Sequence, residues 1–408
     1  MSQQPVLLPY ADPAFVADPF PVYRQLREDG PVRRAVIAGG LDAWLVTRYE
    51  DGLAALSDPR LSSDVRDASD PRLIERLPAT DRESALRNML RTDPPDHTRL
   101  RRLVSKAFTA HRVAGLRPRV QEIADRLLDA IGPDGRADLV ESYALPLPVT
   151  VIGELLGVPV TDRHDFQRWT DDLVLQGAAP PDRVRTDEAW RNMRGYLTGL
   201  VAAKRDRPGD DLLSALVTAR DEERSLDEDE LIAMAFLLLV AGYVTTVNLI
   251  GSGIAALLAH PDQLRMLRDD PALLPGAIEE FLRYDGPVNP GIARFAREDV
   301  TIAGVDIPRG ATVLVASAIA DRDPDHFPDP DRLDISRRDN AHLAFGHGMH
   351  YCLGAPLARL EGQIAIGTAL RRLHHLALAV PPGELRWRPG ALRGPERLPV
   401  TFTADAPA

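Results

Sequence analysis

Residues 344–354 read AFGHGMHYCLG, and the chain's single cysteine, Cys352, stands near the end of this stretch. Glycines at 346, 348 and 354 give the backbone the freedom to turn tightly around that cysteine. The segment that follows, APLARLEGQIAIGTALRRL (355–373), has the apolar spacing of a helix. A thiolate held by backbone N–H groups at the start of a helix is stabilised as an anion. Two plainer uses of the same residues compete with that one. A lone cysteine is most often a small buried hydrophobe. Alternatively His347, His350 and Cys352 bind zinc, although the spacing is tight and a fourth ligand is not evident.

About a hundred residues upstream, residues 231–260 (LIAMAFLLLVAGYVTTVNLIGSGIAALLAH) contain no Asp, Glu, Lys or Arg. By length this segment can span a bilayer, or be a helix buried on every side. Gly242, Thr245, Thr246, Asn248, Gly251 and Ser252 make its centre too polar for lipid, and the acidic run DEDE (227–230) suits the start of a helix. The core reading is preferred. At the middle of this helix, AGYVTT (241–246) combines a glycine with β-branched residues that lose χ1 freedom in a helix, so the helix is expected to be loosest there.

Working outward, PVRRAVIAGGLDAWLVTRY (31–49) reads as a hairpin around Gly39-Gly40, and 300–316 as short strands around Gly304 and Gly310. Most other segments show apolar residues three and four apart, as in LRPRVQEIADRLLDAI (116–131). Residues 62–96 and 176–186 read as long loops. The expected architecture is mainly α, a single 408-residue domain with a central buried helix and a smaller β-rich part from about 31–48, 286–316 and 376–405. A net charge of −11 argues against nucleic-acid and anionic-membrane partners. One cysteine allows no internal disulfide, which suits a reducing cytoplasm, and MSQQPVLLPYADPAF shows no signal-peptide pattern.

Phe345-Gly-x-Gly-x-His350-x-Cys352-x-Gly354 resembles the haem-binding signature of the cytochrome P-450 monooxygenases at every fixed position. The resemblance implies that fold, haem b as cofactor, and Cys352 as the axial thiolate on the iron. It also implies that His350 bonds a haem propionate, that Phe345 packs beside the sulfur, and that Gly346 and Gly354 belong to the haem-binding loop. Further marks follow the family's order. Glu280 and Arg283 fit E-x-x-R, the buried family pair, joined by an arginine of FPDPDRLDISR (327–337), read as Arg332. On its own an i,i+3 Glu–Arg pair is ordinarily a surface pair worth a few tenths of a kcal/mol. His97 and Arg101 in DPPDHTRLRRLV, and Arg294 in GIARFAREDV, resemble the family's propionate ligands. The likeness runs from about residue 15 to 403 and is closest to soluble bacterial members that tailor secondary metabolites such as macrolides.

In this family the central helix reads A-G-x-acid-T. The resemblance therefore implies that Ala241 and Gly242 open room for dioxygen, that Thr245 serves oxygen protonation, and that Ala241, Gly242 and Val244 line the distal pocket. Further pocket wall is expected from 62–92, 170–180, 286–292 and near Leu392. The acid's position holds Val244, the preceding one holds Tyr243, and no carboxylate lies in 231–260. Reductase-driven turnover is thereby put in doubt, and peroxide is a possible oxidant. The implied activity is hydroxylation or epoxidation of an apolar, polyketide-like small molecule. The alternative is a haem-thiolate binding protein with little oxygenase activity. Implied partners are a ferredoxin and its reductase, docking where Arg102, Lys106 and Arg359 supply positive charge. The chain is expected to be a cytoplasmic monomer.

Overall fold

In the computed structural model, which describes residues 4–404 except 76, 78–84, 133, 175–181 and 222–223, the central helix runs from Glu228 to Ala259. A capping box fixes its start: the Asp227 carboxylate accepts the Glu230 N–H at 2.9 Å, and the Glu230 carboxylate accepts the Asp227 N–H at 3.1 Å. Acids at 228–230 also oppose the positive end of the helix dipole. Being apolar all round, the helix gains most by being covered on all sides. Helices Pro146–Leu156, Arg183–Asp206, Leu274–Asp285 and Ala355–Arg372 pack around it. Its most apolar window is 67% buried inside the protein, so its hydropathy reflects a core position. The β-branched residues at its middle do not break it. The Thr245 and Thr246 hydroxyls donate to the carbonyls of Ala241 (3.0 Å) and Gly242 (3.5 Å), one turn back.

The β portion is dominated by one six-stranded sheet, in spatial order Val6–Leu7, Val32–Ile37, Leu41–Val46, Thr312–Val315, Ile292–Ala296 and Leu61–Ser62. The expected hairpin supplies its second and third strands, with Val32 opposite Val46 and Ile37 opposite Leu41. Gly39 and Gly40 turn it at φ +73° and +72°, angles that a side chain disfavours. Strand Ile292–Ala296 runs antiparallel to Thr312–Val315 and carries Arg294 inward. The C-terminal sheet joins Leu373–Leu378 and Pro399–Ala404 to Arg136–Asp138. That last strand has three residues, too few to show alternation, and only its partner defines it.

Of the two expected loops, 62–96 contains a short 3₁₀ turn at Val65–Asp67 and a helix at Pro71–Glu75, with 76 and 78–84 outside the described residues. The second expectation is corrected at its end. Residues 175–181 lie outside the described residues, but Arg183 already begins a helix, because the Asp182 side chain accepts the N–H groups of Val184 (3.1 Å) and Arg185 (3.3 Å).

Candidate active site

The cysteine loop is built as its glycines suggest. Gly346 and Gly348 have φ of +71° and +70°. The Cys352 N–H donates to the Phe345 carbonyl at 2.9 Å and the Gly346 N–H to the Leu343 carbonyl at 2.8 Å, which closes the loop just before helix Ala355–Arg372. A Cβ on Gly348 would sit 3.1 Å from the Leu56 carbonyl oxygen, so this turn is pressed against the helix Tyr49–Ser57. Burial pushes the Cys352 thiol up. The N–H groups of Gly354 and Ala355 and the charges of Arg101 and Arg359 pull the other way without overcoming it. A sulfur so placed becomes a thiolate when a metal cation coordinates it.

Four basic side chains converge beside this loop. His97 and Arg101 lie one turn apart on helix Asp96–Ala107. Arg294 comes from the sheet and His350 from the cysteine loop. The His97 and His350 rings are 4.2 Å apart. Among the described residues, Arg101 donates to the Tyr351 carbonyl at 2.7 Å, Arg294 only to the carbonyl of its neighbour Ala293 at 2.9 Å, and buried His97 Nε2 has no partner. Burial, then the charges of His350 and Arg101, push His97 down to about 4. One carboxylate stands close by. Burial alone would raise Asp93, but hydrogen bonds from His350, Ser62 and Ser63, with the charge of Arg297, outweigh it and hold it well below the usual range. His350 is oriented by Ser63, whose Oγ lies 2.9 Å from His350 Nε2, and more distantly by Asp93, 3.7 Å from the same nitrogen and itself paired with Arg297 at 2.8 Å. Nothing in a single sequence marks Asp93 or Ser63 for this role. The cluster thus has excess positive charge and an orphaned imidazole nitrogen, and a bound group carrying carboxylates satisfies both.

A cavity of about 390 Å³ lies between this cluster, Cys352 and the central helix. Arg101, Arg294, Phe345, Gly346, His350, Cys352 and Gly354 line one side, and Ala241, Gly242, Thr245 and Thr246 the other. Its remaining wall is mostly apolar, with Met89, Leu90, Phe108, Leu237, Leu238, Val288 and Ile292. The residues of the haem signature therefore fit a flat, dicarboxylate-bearing haem with a cysteine sulfur beneath it.

Two expectations about the cavity wall, Val244 and Leu392, need correction, and Gly242 gains a second reason. Val244 is 1% exposed and packs into the helical core, so it does not line the cavity. Helical geometry turns the residue before Thr245 about 100° away from it. Gly242 does reach the cavity, but its missing side chain serves packing, since a Cβ there would lie 2.8 Å from Ile152 Cδ1. Leu392 forms a bridge behind Val288 and is not itself wall. On the far side of the helix the Tyr243 hydroxyl faces Asp171 at 3.4 Å, and burial raises that carboxyl.

The E-x-x-R pair is fully buried. Arg283 Nε and Nη2 donate to the two Glu280 oxygens at 2.7 and 2.8 Å. Arg283 Nη1 reaches the carbonyls of Asp321 (3.0 Å) and Pro330 (2.7 Å). Arg332 gives only its backbone carbonyl, 3.1 Å from Arg283 Nη2. The third member is Arg337, whose Nε lies 3.2 Å from Glu280 Oε2. The chain reverses between 329 and 337, and spacing alone does not tell which arginine turns inward. The Asp334 N–H and Asn340 Nδ2 also donate to Glu280, at 2.8 and 3.1 Å. Arg359 is likewise reassigned. It is bound at both ends of Glu279 at 2.7 Å and lies 4.5 Å from the Phe345 ring, so it braces the cysteine loop and has little charge to offer a partner. Arg102 and Lys106 are exposed.

A helical protein with a buried central helix over a glycine-bound cysteine, and a cationic rim between them, belongs to the class of haem-thiolate oxidoreductases. Comparison with known proteins gives the family. The family model for cytochrome P-450 matches residues 175–401. The chain is 53% identical to the cytochrome P-450 monooxygenase PikC of Streptomyces venezuelae, over 95% of this chain and 92% of that one. It is 45% identical to the mycinamicin IV hydroxylase/epoxidase of Micromonospora griseorubida, over 93% and 94%. Among solved structures, the bacillaene polyketide synthase cytochrome P-450 PksS of Bacillus subtilis 168 superposes with a TM-score of 0.89 at 42% identity, covering 97% of this chain and 99% of that one. The chain belongs to the cytochrome P-450 family and is a monooxygenase, an oxidoreductase with a haem-iron cofactor that acts on small molecules.

Proposed function

We propose that this enzyme hydroxylates or epoxidises an apolar molecule of the polyketide or macrolide kind, as the names of its relatives suggest. The observation that carries this reading is the largely apolar cavity that has Cys352 on one side and Thr245 on the other. The cofactor is haem b, held by Cys352 through its iron and by His97, Arg101, Arg294 and His350 through its carboxylates. When bound it supplies the oxygen-activating chemistry, and the thiolate supplies electron density.

The chain's own residues do the rest. Thr245 Oγ1, tied to the Ala241 carbonyl at 3.0 Å, keeps a proton-bearing hydroxyl on the cavity wall. Ala241, exposed although it lies in the middle of a buried helix, borders open cavity. Leu237, Leu238, Val288 and Ile292 exclude water and hold an apolar substrate. Glu280, Arg283 and Arg337 position the segment that leads into the cysteine loop. With Val244 in place of an acid, protons reach the cavity through Thr245 and water, and peroxide, which arrives with its protons, serves as an oxidant. A ferredoxin with its reductase delivers electrons, docking near Arg102 and Lys106, and the protein is a cytoplasmic monomer. The test is the difference spectrum of reduced, CO-bound protein. Native protein should give the thiolate-type band and Cys352→Ser should lose it. An unchanged band in the variant refutes the assignment.

A further inference from the structure

The chain has six methionines, and the fold sorts them by access. Met266 and Met349 are exposed, at 38% and 45%. Met193 and Met234 are sealed in the helical core, and Met1 lies outside the described residues. Met89 belongs to neither group. It is 9% exposed, yet it is the one methionine among the described residues that line the cavity.

Its place on the wall is fixed from the backbone. The Met89 N–H donates to the Met234 sulfur at 3.4 Å, which ties it to the central helix. The Arg91 N–H and Thr92 Oγ1 both donate to the Asn88 carbonyl, at 3.1 and 3.0 Å, and the Leu90 N–H donates to the Asn88 side chain at 3.0 Å. The turn 88–91 therefore holds Met89 and Leu90 against the cavity. With Cys352 committed to the iron, a thioether is the most easily oxidised group on a wall made largely of aliphatic side chains.

We infer that Met89 is a site of oxidative self-modification: hydrogen peroxide spent in a cavity that holds no substrate converts Met89 to its sulfoxide and so closes the cavity to apolar molecules. The inference rests on the proposed function and deepens it. In the step the Met89 sulfur takes one oxygen atom from the peroxide. The O–O bond breaks, an S–O bond forms and water leaves; the sulfur is oxidised by two electrons as the peroxide is reduced by two. The product puts a polar oxygen where the wall was apolar. An apolar ligand must then strip water from that oxygen without replacing the hydrogen bond, which weakens its binding about 5- to 150-fold. Peroxide in bulk solvent reaches methionines in order of exposure, so Met266 and Met349 react first. Oxidant spent inside the cavity reverses that order.

Haem-loaded and haem-free protein are each exposed to a limiting amount of hydrogen peroxide, digested, and mapped by mass spectrometry for sulfoxide at every methionine. The CO difference spectrum is taken on the same haem-loaded sample. Met89 should be the main sulfoxide in haem-loaded protein, and Met266 and Met349 the main ones in haem-free protein. Filling the cavity with 1-dodecanol during exposure should lower the Met89 yield. Affinity for 1-dodecanol, read from the rise in melting temperature, should fall by about 5- to 150-fold after exposure in native protein. It should hold in Met89→Leu, a swap that keeps volume, relative to that variant's own unexposed sample. Oxidation in order of exposure in both samples overturns the inference, as does a Met89 yield that 1-dodecanol leaves unchanged, or an equal loss of affinity in Met89→Leu. A haem-loaded sample that shows the thiolate-type band and keeps Met89 unmodified refutes the inference and leaves the proposed function standing. A sample without the band refutes the proposed function, and the inference falls with it.

Discussion

Glu280→Ala should be the most damaging single change outside the cysteine loop. Both side chains of the Glu280–Arg283 pair are fully buried. Glu280 accepts five hydrogen bonds, two from Arg283 and one each from Asp334, Arg337 and Asn340. Truncation leaves the Arg283 cation in the interior with only backbone carbonyls around it. Breaking a buried pair in this way costs about 3–5 kcal/mol. At about 2.1 cal/mol/K per residue, a chain of this length unfolds with an entropy of roughly 0.9 kcal/mol/K, so that loss lowers the melting temperature by about 4–6 °C. The assay is thermal denaturation of purified protein, joined to a cycle with Arg283→Met. Removing both charges spares the fully buried Arg283 from standing unpaired and leaves only Arg337, at the edge of the network, without its carboxylate, so the double variant should lose less than the sum of the single losses. Glu280→Ala recovered soluble and haem-loaded with native melting temperature, or additive losses in the cycle, would falsify the reasoning.

Other consequences follow from the same geometry. In haem-free protein His97 has a pKa of about 4 against about 6.5 unfolded, so the unfolded chain binds a proton that the fold refuses; its share of stability is present above pH 6.5 and falls as pH drops toward 4, by about 2 kcal/mol between pH 7 and 5. Denaturant unfolding of haem-free His97→Phe should show a correspondingly shallower loss, and an unchanged slope contradicts the assignment. Gly242→Ala should cost about 1–3 kcal/mol by driving a methyl into Ile152, and Ile152→Val should recover much of it; additive melting shifts would show that the two do not touch. Val244→Glu should raise the ferredoxin-driven rate and leave the peroxide-driven rate nearly unchanged, general acid help being worth about 10²–10⁴-fold. Because Val244 lies in the core, the variant should also melt lower than native protein; a parallel fall in both rates would mean that the substitution reshapes the site and supplies no proton.

The chemistry-bearing residues were legible in the sequence because they are local. The turn around Cys352 needs glycines at fixed places, and residues 344–354 carry them. The central helix announces itself by thirty residues without a charge, and its start by a capping box within four positions. Hairpin 32–46 is likewise set by two glycines and its flanking apolar runs. What stayed illegible depends on which way a side chain turns and on what arrives from far along the chain. Arg332 and Arg337 are five positions apart in one irregular segment, and only folding against Glu280 sends Arg337 inward and leaves Arg332 giving a carbonyl. Val244 neighbours Thr245 in sequence, yet a helix rotates it into the core. Arg359 looked like surface charge until Glu279, eighty positions upstream, neutralised it. Sequence specifies backbone habit over short spans, because φ/ψ preference and hydrophobic period act between near neighbours. The partner of a charge is decided by tertiary packing, because a buried ion takes whatever counter-charge the fold brings within reach.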